Sequence, residues 1–170
     1  VVAAQLRSLC AAEGRLWELC GGWSAEGDRA AARSFFASQS AFHAWRAEEW
    51  RRRLPASVLL EEASATGLLP AGFSEVIDTG RELDSDVARL ATWLELLVPS
   101  LVVAMRRCRD GLGEVADAGS IRMLRISSDD LLEQWATGSS LMADWAGAES
   151  AEAVGAAVER LRPILWRQDM

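Results

Sequence analysis

Lysine and tyrosine are absent from this chain, and histidine occurs once, at position 43. Cysteine occurs three times, as Cys10, Cys20 and Cys108. An odd count without a CxxC pair argues against both a disulfide scaffold and a zinc knuckle. Cys10 and Cys108 fall on apolar rows of predicted helices, where a free thiol acts as a small hydrophobe. Strand-like alternation of apolar and polar residues is missing, and so are internal repeats and low-complexity tracts. The longest apolar run, Leu94 to Met105, carries Glu95 and Pro99 and is too short to span a bilayer. Positive charge is also short. The net charge is −7 and the isoelectric point about 4.8, which speaks against binding duplex nucleic acid. The run Arg51-Arg52-Arg53 reads as a solvated helix end, where cations suit the last turn. Phosphate-cradling glycine loops, dinucleotide fingerprints and nucleophile motifs are absent. No signal peptide is visible, so a cytoplasmic location is expected, with neither nucleic acid nor membrane as partner.

What is present is a sequence of 170 residues, half of them hydrophobic and a quarter charged, which suits one globular domain over 1–170. With eighteen arginines as the only long cations, and much alanine and glycine, the composition suggests a GC-rich bacterial genome.

Apolar residues recur at helical spacing throughout, so the expected class is all-α. The first helix is expected from Val2 to Cys20 on the row Leu6, Leu9, Cys10, Glu13, Leu16, Trp17 and Cys20, with Gly21-Gly22 as its stop. The second runs from about Asp28 to Leu54, before Pro55. Residues 56–80 are less regular and suggest a connection, with a short helix possible from Ala56 to Ala65. The third helix is expected from Leu83 to Leu112, kinked near Glu95 to Val98 because Pro99 removes a backbone bond. The fourth is expected from Ser120 to Trp145 on the row Leu124, Ser128, Leu131, Trp135, Met142 and Trp145. A short fifth, Ser150 to Trp166, is amphipathic and expected to pack outside the others. Four long helices with a long connection between the second and third describe a four-helix bundle with a crossover.

The stretch Ser34 to Pro55 carries the chemistry. Phe36, Ala47, Trp50 and Leu54 share a face at about 100° per residue. Gln39, His43 and Arg46 lie on that same face, whereas Glu48, Arg51 and Arg52 lie opposite. Glu13 occupies a core position of helix one, and Ser127 and Ser128 project inward from helix four.

A glutamate in the middle of helix one, a histidine in helix two and a long crossover resemble the ferritin-like superfamily. More narrowly, Glu13-Gly-Arg-Leu-Trp-Glu-Leu, His43-Ala-Trp-Arg-Ala-Glu-Glu-Trp ending in Leu54-Pro55, and Asp129 to Trp135 resemble a bacterial, actinobacterial-type branch of it without a defined activity. Members that bind two irons supply one Glu from each of two helices and a Glu-x-x-His from each of the other two. Here Glu13 matches the first glutamate and His43 a histidine, but Ser40 stands at the glutamate place, and no second histidine exists. The resemblance therefore implies an incomplete ligand set and no resident metal. The alternative is iron or manganese held by Glu13, His43 and Asp130.

Two readings of the polar interior stay open. In one, Arg46 pairs with Glu13 where a metal sits in metallated relatives, and His43 is a satisfied core residue. In the other, Glu13, Trp17, Gln39, His43, Arg46, Trp50, Ser128 and Trp135 line a tryptophan-rich site for a small apolar or aromatic ligand. The expected function is binding of such a ligand or of a partner protein. The runner-up is an enzyme, either a degenerate metal-dependent oxidase or hydroxylase, or a metal-free biosynthetic catalyst using His43 and Glu13. A homodimer through an exposed apolar face, on helix five or the Trp45 side of helix two, is the third possibility.

Overall fold

In the computed structural model, which describes residues 2–54, 68–145 and 148–166, the regular structure among the described residues is helical throughout. Among the described residues six helices follow one another: α1 (Val2–Glu26), α2 (Ala30–Arg51), α3 (Phe73–Gly80), α4 (Asp86–Asp110), α5 (Ala118–Trp145) and α6 (Ala148–Leu165). The short helix expected at 56–65 lies outside the described residues.

Helix α1 does not stop at Gly21-Gly22. It runs on to Glu26 because Trp23 anchors its last turn, buried and donating its indole N–H to Gly80 O at 3.0 Å. Gly21 serves close approach instead, since a Cβ there would lie 3.3 Å from Ser40 Oγ on α2. The turn into α2 is fastened from a distance. Asp86 Oδ2 accepts from the Arg29 N–H at 2.8 Å, and Arg89 donates to Glu26 at 3.0 Å and to Leu83 O at 2.8 Å.

Helix α4 carries the break that Pro99 demands. Trp93–Leu97 form a π-helical turn, closed by Val98 N–H donating to Trp93 O. Such a turn takes up the missing donor of a proline without ending the helix. Two side chains satisfy carbonyls in and beside it. Trp135 Nε1 donates to Leu94 O at 3.0 Å, and Ser100 Oγ to Leu96 O at 2.7 Å. By length and composition α4 could cross a membrane, yet 83% of its apolar window is buried inside the fold. It is the central core helix.

Contacts along the four long helices set their directions. Helices α1 and α2 are antiparallel, with Cys10 bonded to Ala47 O and Trp17 O accepting from Ser40. So are α1 and α4, where Glu26 meets Arg89, and α4 and α5, where Met105 meets Ser128 and Leu94 meets Trp135. Helices α2 and α5 are antiparallel too, with Arg29 over the Trp145 ring and Phe35 against Gly138. Consequently α2 and α4 run parallel, and the chain between them must travel the length of the fold. Helix α6 packs across α3 and α4 through Val158, Leu161 and Leu165.

The core includes an edge-to-face aromatic stack. Trp23 meets Phe36 at 5.1 Å, Phe36 meets Phe35 at 5.4 Å, and Phe35 meets Trp93 at 5.3 Å between ring centres. Interlocked rings of this kind fix one another's orientation.

Candidate functional site

The middle of the fold holds a charged set with no solvent contact. Glu13 from α1 and His43 and Arg46 from α2 are each fully buried. Positions 43 and 46 lie one helical turn apart, so both side chains reach the same point of α1. Arg46 Nε donates to Glu13 Oε1 at 2.9 Å, and His43 Nδ1 lies 2.6 Å from Glu13 Oε2. Arg46 Nη1 reaches Gln134 Oε1 on α5 at 3.5 Å, tying the hairpin of α1 and α2 to the opposite one.

Protonation follows from these distances. Burial raises the pKa of Glu13, but Arg46 and His43 together outweigh it and hold the carboxyl below its ordinary value. Burial, with a smaller push from Arg46, holds His43 below its ordinary value against the upward pull of Glu13. The pair is therefore a carboxylate and a neutral imidazole. Nδ1 carries the proton and donates it to Glu13. The 2.9 Å approach of Arg46 Nη2 to Nδ1 is then two donors converging on one carboxylate rather than a hydrogen bond. Among the described residues Nε2 is left as a bare acceptor without a partner, and Gln39 Oε1 and Ser127 Oγ are also unpartnered.

A pH test comes directly from this. The native pKa of His43 is depressed below 6.5, so the unfolded chain takes up its proton first. Stability should be fully present above about pH 6.5 and fall on acidification, with a slope approaching ~1.4 kcal/mol per pH unit. No other imidazole exists in the chain to confuse the assignment. His43→Asn, whose amide can still donate to Glu13, should flatten the profile in urea titrations between about pH 7.5 and 5.5. A wild-type profile that is flat or rises on acidification would refute the neutral assignment.

The expected metal alternative does not fit. Both oxygens of Glu13 face Arg46 or His43, so a guanidinium stands where a cation would have to bind. Asp130 is elsewhere, half-buried on a surface groove, and among the described residues no three His, Cys, Asp or Glu side chains converge.

Three further expectations need correcting. Trp17 is 50% exposed on α1, because Leu9, Ala12, Leu16, Leu19 and Trp23 centre the buried arc on the other side of Glu13. Trp135 is 42% exposed, with only its indole N–H engaged. Ser128 turns to Met105 Sδ at 3.7 Å rather than to His43. The inward row of α5 is Leu124, Ser127, Leu131, Gln134 and Gly138, one position away from the row that Trp135 suggested. Trp50 is fully buried as expected, with its indole N–H unpartnered among the described residues.

Sequence reasoning missed Gln134 and the space above it. Residues of α2 and α5 line an open groove of about 570 Å³. Gln39 and Gln134, both nearly buried, belong to its lining, and Gln134 connects it to Arg46 through its Oε1. Its apolar wall is Phe35, Phe42 and Leu141, and its acidic side is Asp130 and Glu133. The spacing Ser127, Gln134, Gly138 was the available signal, since polar or small residues on a core row mark a place where something other than a side chain packs. Comparison with protein families, with characterised proteins and with solved structures gives no match for this chain.

Proposed function

We propose that this chain is a ferritin-like helical bundle that binds a small, partly apolar molecule in the groove between α2 and α5. The bundle assignment is supported by the parallel pair α2 and α4 and by the long chain segment between them. The binding assignment is carried by one observation: a groove of ligand size adjoins the buried Arg46–Glu13–His43 set, with Gln134 lining the one and bonded to Arg46 of the other. Arg46 replaces the metal as interior cation, and its charge is spent on Glu13. Phe35, held by Phe36 and Trp93, supplies a wall already set before a ligand arrives.

Binding is favoured over catalysis because His43 and Glu13 are fully buried and absent from the groove lining. A partner-protein role draws on Phe42 and Trp45, three residues apart on α2 and 43% and 44% exposed. It predicts a mass in solution above that of one chain or its capture by a partner.

The test of the groove is direct. Titration with indole should shift amide resonances of Phe35, Phe42 and Leu141. Ser38→Trp, which places a large ring from an exposed groove position, should weaken that binding by about tenfold or more and leave the helical circular dichroism unchanged. Shifts spread over other faces, or unaffected by Ser38→Trp, would refute the site.

A further inference from the structure

Many arginines of this acidic chain stand beside a carboxylate: Arg15 with Asp78, Arg81 with Glu18, Arg162 with Glu95, and Arg51 and Arg52 with Glu48. Three that do not are Arg109 near the end of α4 and Arg122 and Arg125 near the start of α5, and all three line one pocket of about 310 Å³. The antiparallel pairing of α4 and α5, with Met105 level with Ser128, brings these positions to the same height. None of the three has an ion pair among the described residues, and Glu114 is the single acidic side chain in the lining. Like charges gathered round so small a space repel one another, and an anion between them reverses the sign of that interaction. The first turn of α5 opens on the same pocket through Ala118. Ile121 N–H makes the first bond of the helix ladder, to Asp117 O at 2.9 Å, so the N–H groups of Ala118, Gly119 and Ser120 have no acceptor within the helix. Asp117, the residue placed to cap them, accepts from Gly113 N–H at 3.0 Å instead.

We infer that this pocket binds a phosphate monoester. Three guanidiniums against one carboxylate leave two positive charges, which a phosphate dianion matches and a carboxylate does not. The planar forks of Arg122 and Arg125, one turn apart on α5, suit bidentate contact with phosphate oxygens, and Arg109 approaches from α4. The free N–H groups of a 28-residue helix add donors and the positive end of its dipole. Ile121 gives the lining an apolar side for the organic part of the ester. The pocket shares no lining residue with the groove between α2 and α5, so the two sites stand or fall separately.

Phenyl phosphate and phenylacetate, titrated into the full chain at pH 7.5 and followed by amide NMR, test this. At that pH the ester is a dianion, since its second pKa is about 6. Phenyl phosphate should shift the amides of Ala118, Gly119 and Ser120 and bind at least about tenfold more tightly than phenylacetate. Arg122→Gln with Arg125→Gln, both exposed and unpaired, should erase that preference and leave the helical circular dichroism unchanged. Arg51→Gln with Arg52→Gln removes the same charge far from the pocket and should leave the affinity within about twofold of the wild type, because salt near 0.15 M screens distant charges. Vesicles of phosphatidylcholine with phosphatidic acid identify the source of the ester. Cosedimentation that depends on Arg122 and Arg125 supports the site with a lipid headgroup in it, and its absence alongside phenyl phosphate binding supports a soluble ester. Equal affinity for the two probes, an equal loss in the Arg51 and Arg52 variant, or no shift in the first turn of α5 would overturn the inference.

Discussion

Glu13→Ala should cost about 3–5 kcal/mol, because it strands the Arg46 guanidinium in the core without a counter-charge. Domains of this kind hold about 5–15 kcal/mol in all, so the variant should be near the edge of folding at 37 °C. Removing the other partner is expected to cost less. In Arg46→Met the Glu13 carboxylate still has His43 beside it, at 2.6 Å, and the cation that opposed protonation of the imidazole is gone. With Arg46 gone, one of the two causes that hold the His43 pKa down is removed while burial stays, so its native pKa moves up toward its ordinary value. The loss of stability on acidification in Arg46→Met should therefore be shallower than that of the wild type. Replacing all three groups, as Glu13→Leu, His43→Phe and Arg46→Met, should return stability to within about 1–2 kcal/mol of the wild type or above it. Urea unfolding at several pH values reads all of these. If Glu13→Ala costs less than about 1 kcal/mol, the pair is not a buried ion pair in solution.

The second large effect belongs to Gly72. Its backbone, at φ −80° and ψ 4°, is one that any residue adopts, so glycine is not required there for conformation. It is required for space. A Cβ would overlap the Ile164 carbonyl oxygen, and would lie 2.6 Å from Ile164 C and 3.0 Å from Leu165 Cα. All of these are main-chain atoms of α6, so no rotamer change makes room. Gly72→Ala must push α6 outward and draw Leu161 and Leu165, both buried, from the core. The expected loss is at or above the ~3 kcal/mol that marks severe overpacking, with hydrogen-exchange protection falling first in α6. Gly22→Ala is the control. It lies inside α1 with nothing within 4 Å of a new Cβ, and should gain about 0.5–1 kcal/mol. Equal stability of Gly72→Ala and wild type would mean that α6 does not sit against Gly72.

Periodicity alone determined the all-α class, the four long helices and the inward phase of α2. Gln39, His43 and Arg46 share a face by arithmetic, and a polar trio on an apolar face leaves few places for a partner other than Glu13. The π turn was legible in kind, since Pro99 must break the ladder four residues back, though its form was not. Other features depended on contacts that no local pattern records. Gly21-Gly22 reads as a stop, yet Trp23 carries the helix through, because a buried indole bonded to Gly80 outweighs two glycine penalties. The phase of α5 was misplaced by one position because Trp135 is apolar and was read as core. In the fold its N–H satisfies a π-turn carbonyl while its ring stays half exposed, and polar Gln134 turns inward to meet Arg46. The groove follows from that same choice. It lies between α2 and α5 beside the contact of Phe35 with Gly138, and the angle between two helices is set by which side chains interlock, a property of the pair that neither strip of sequence contains.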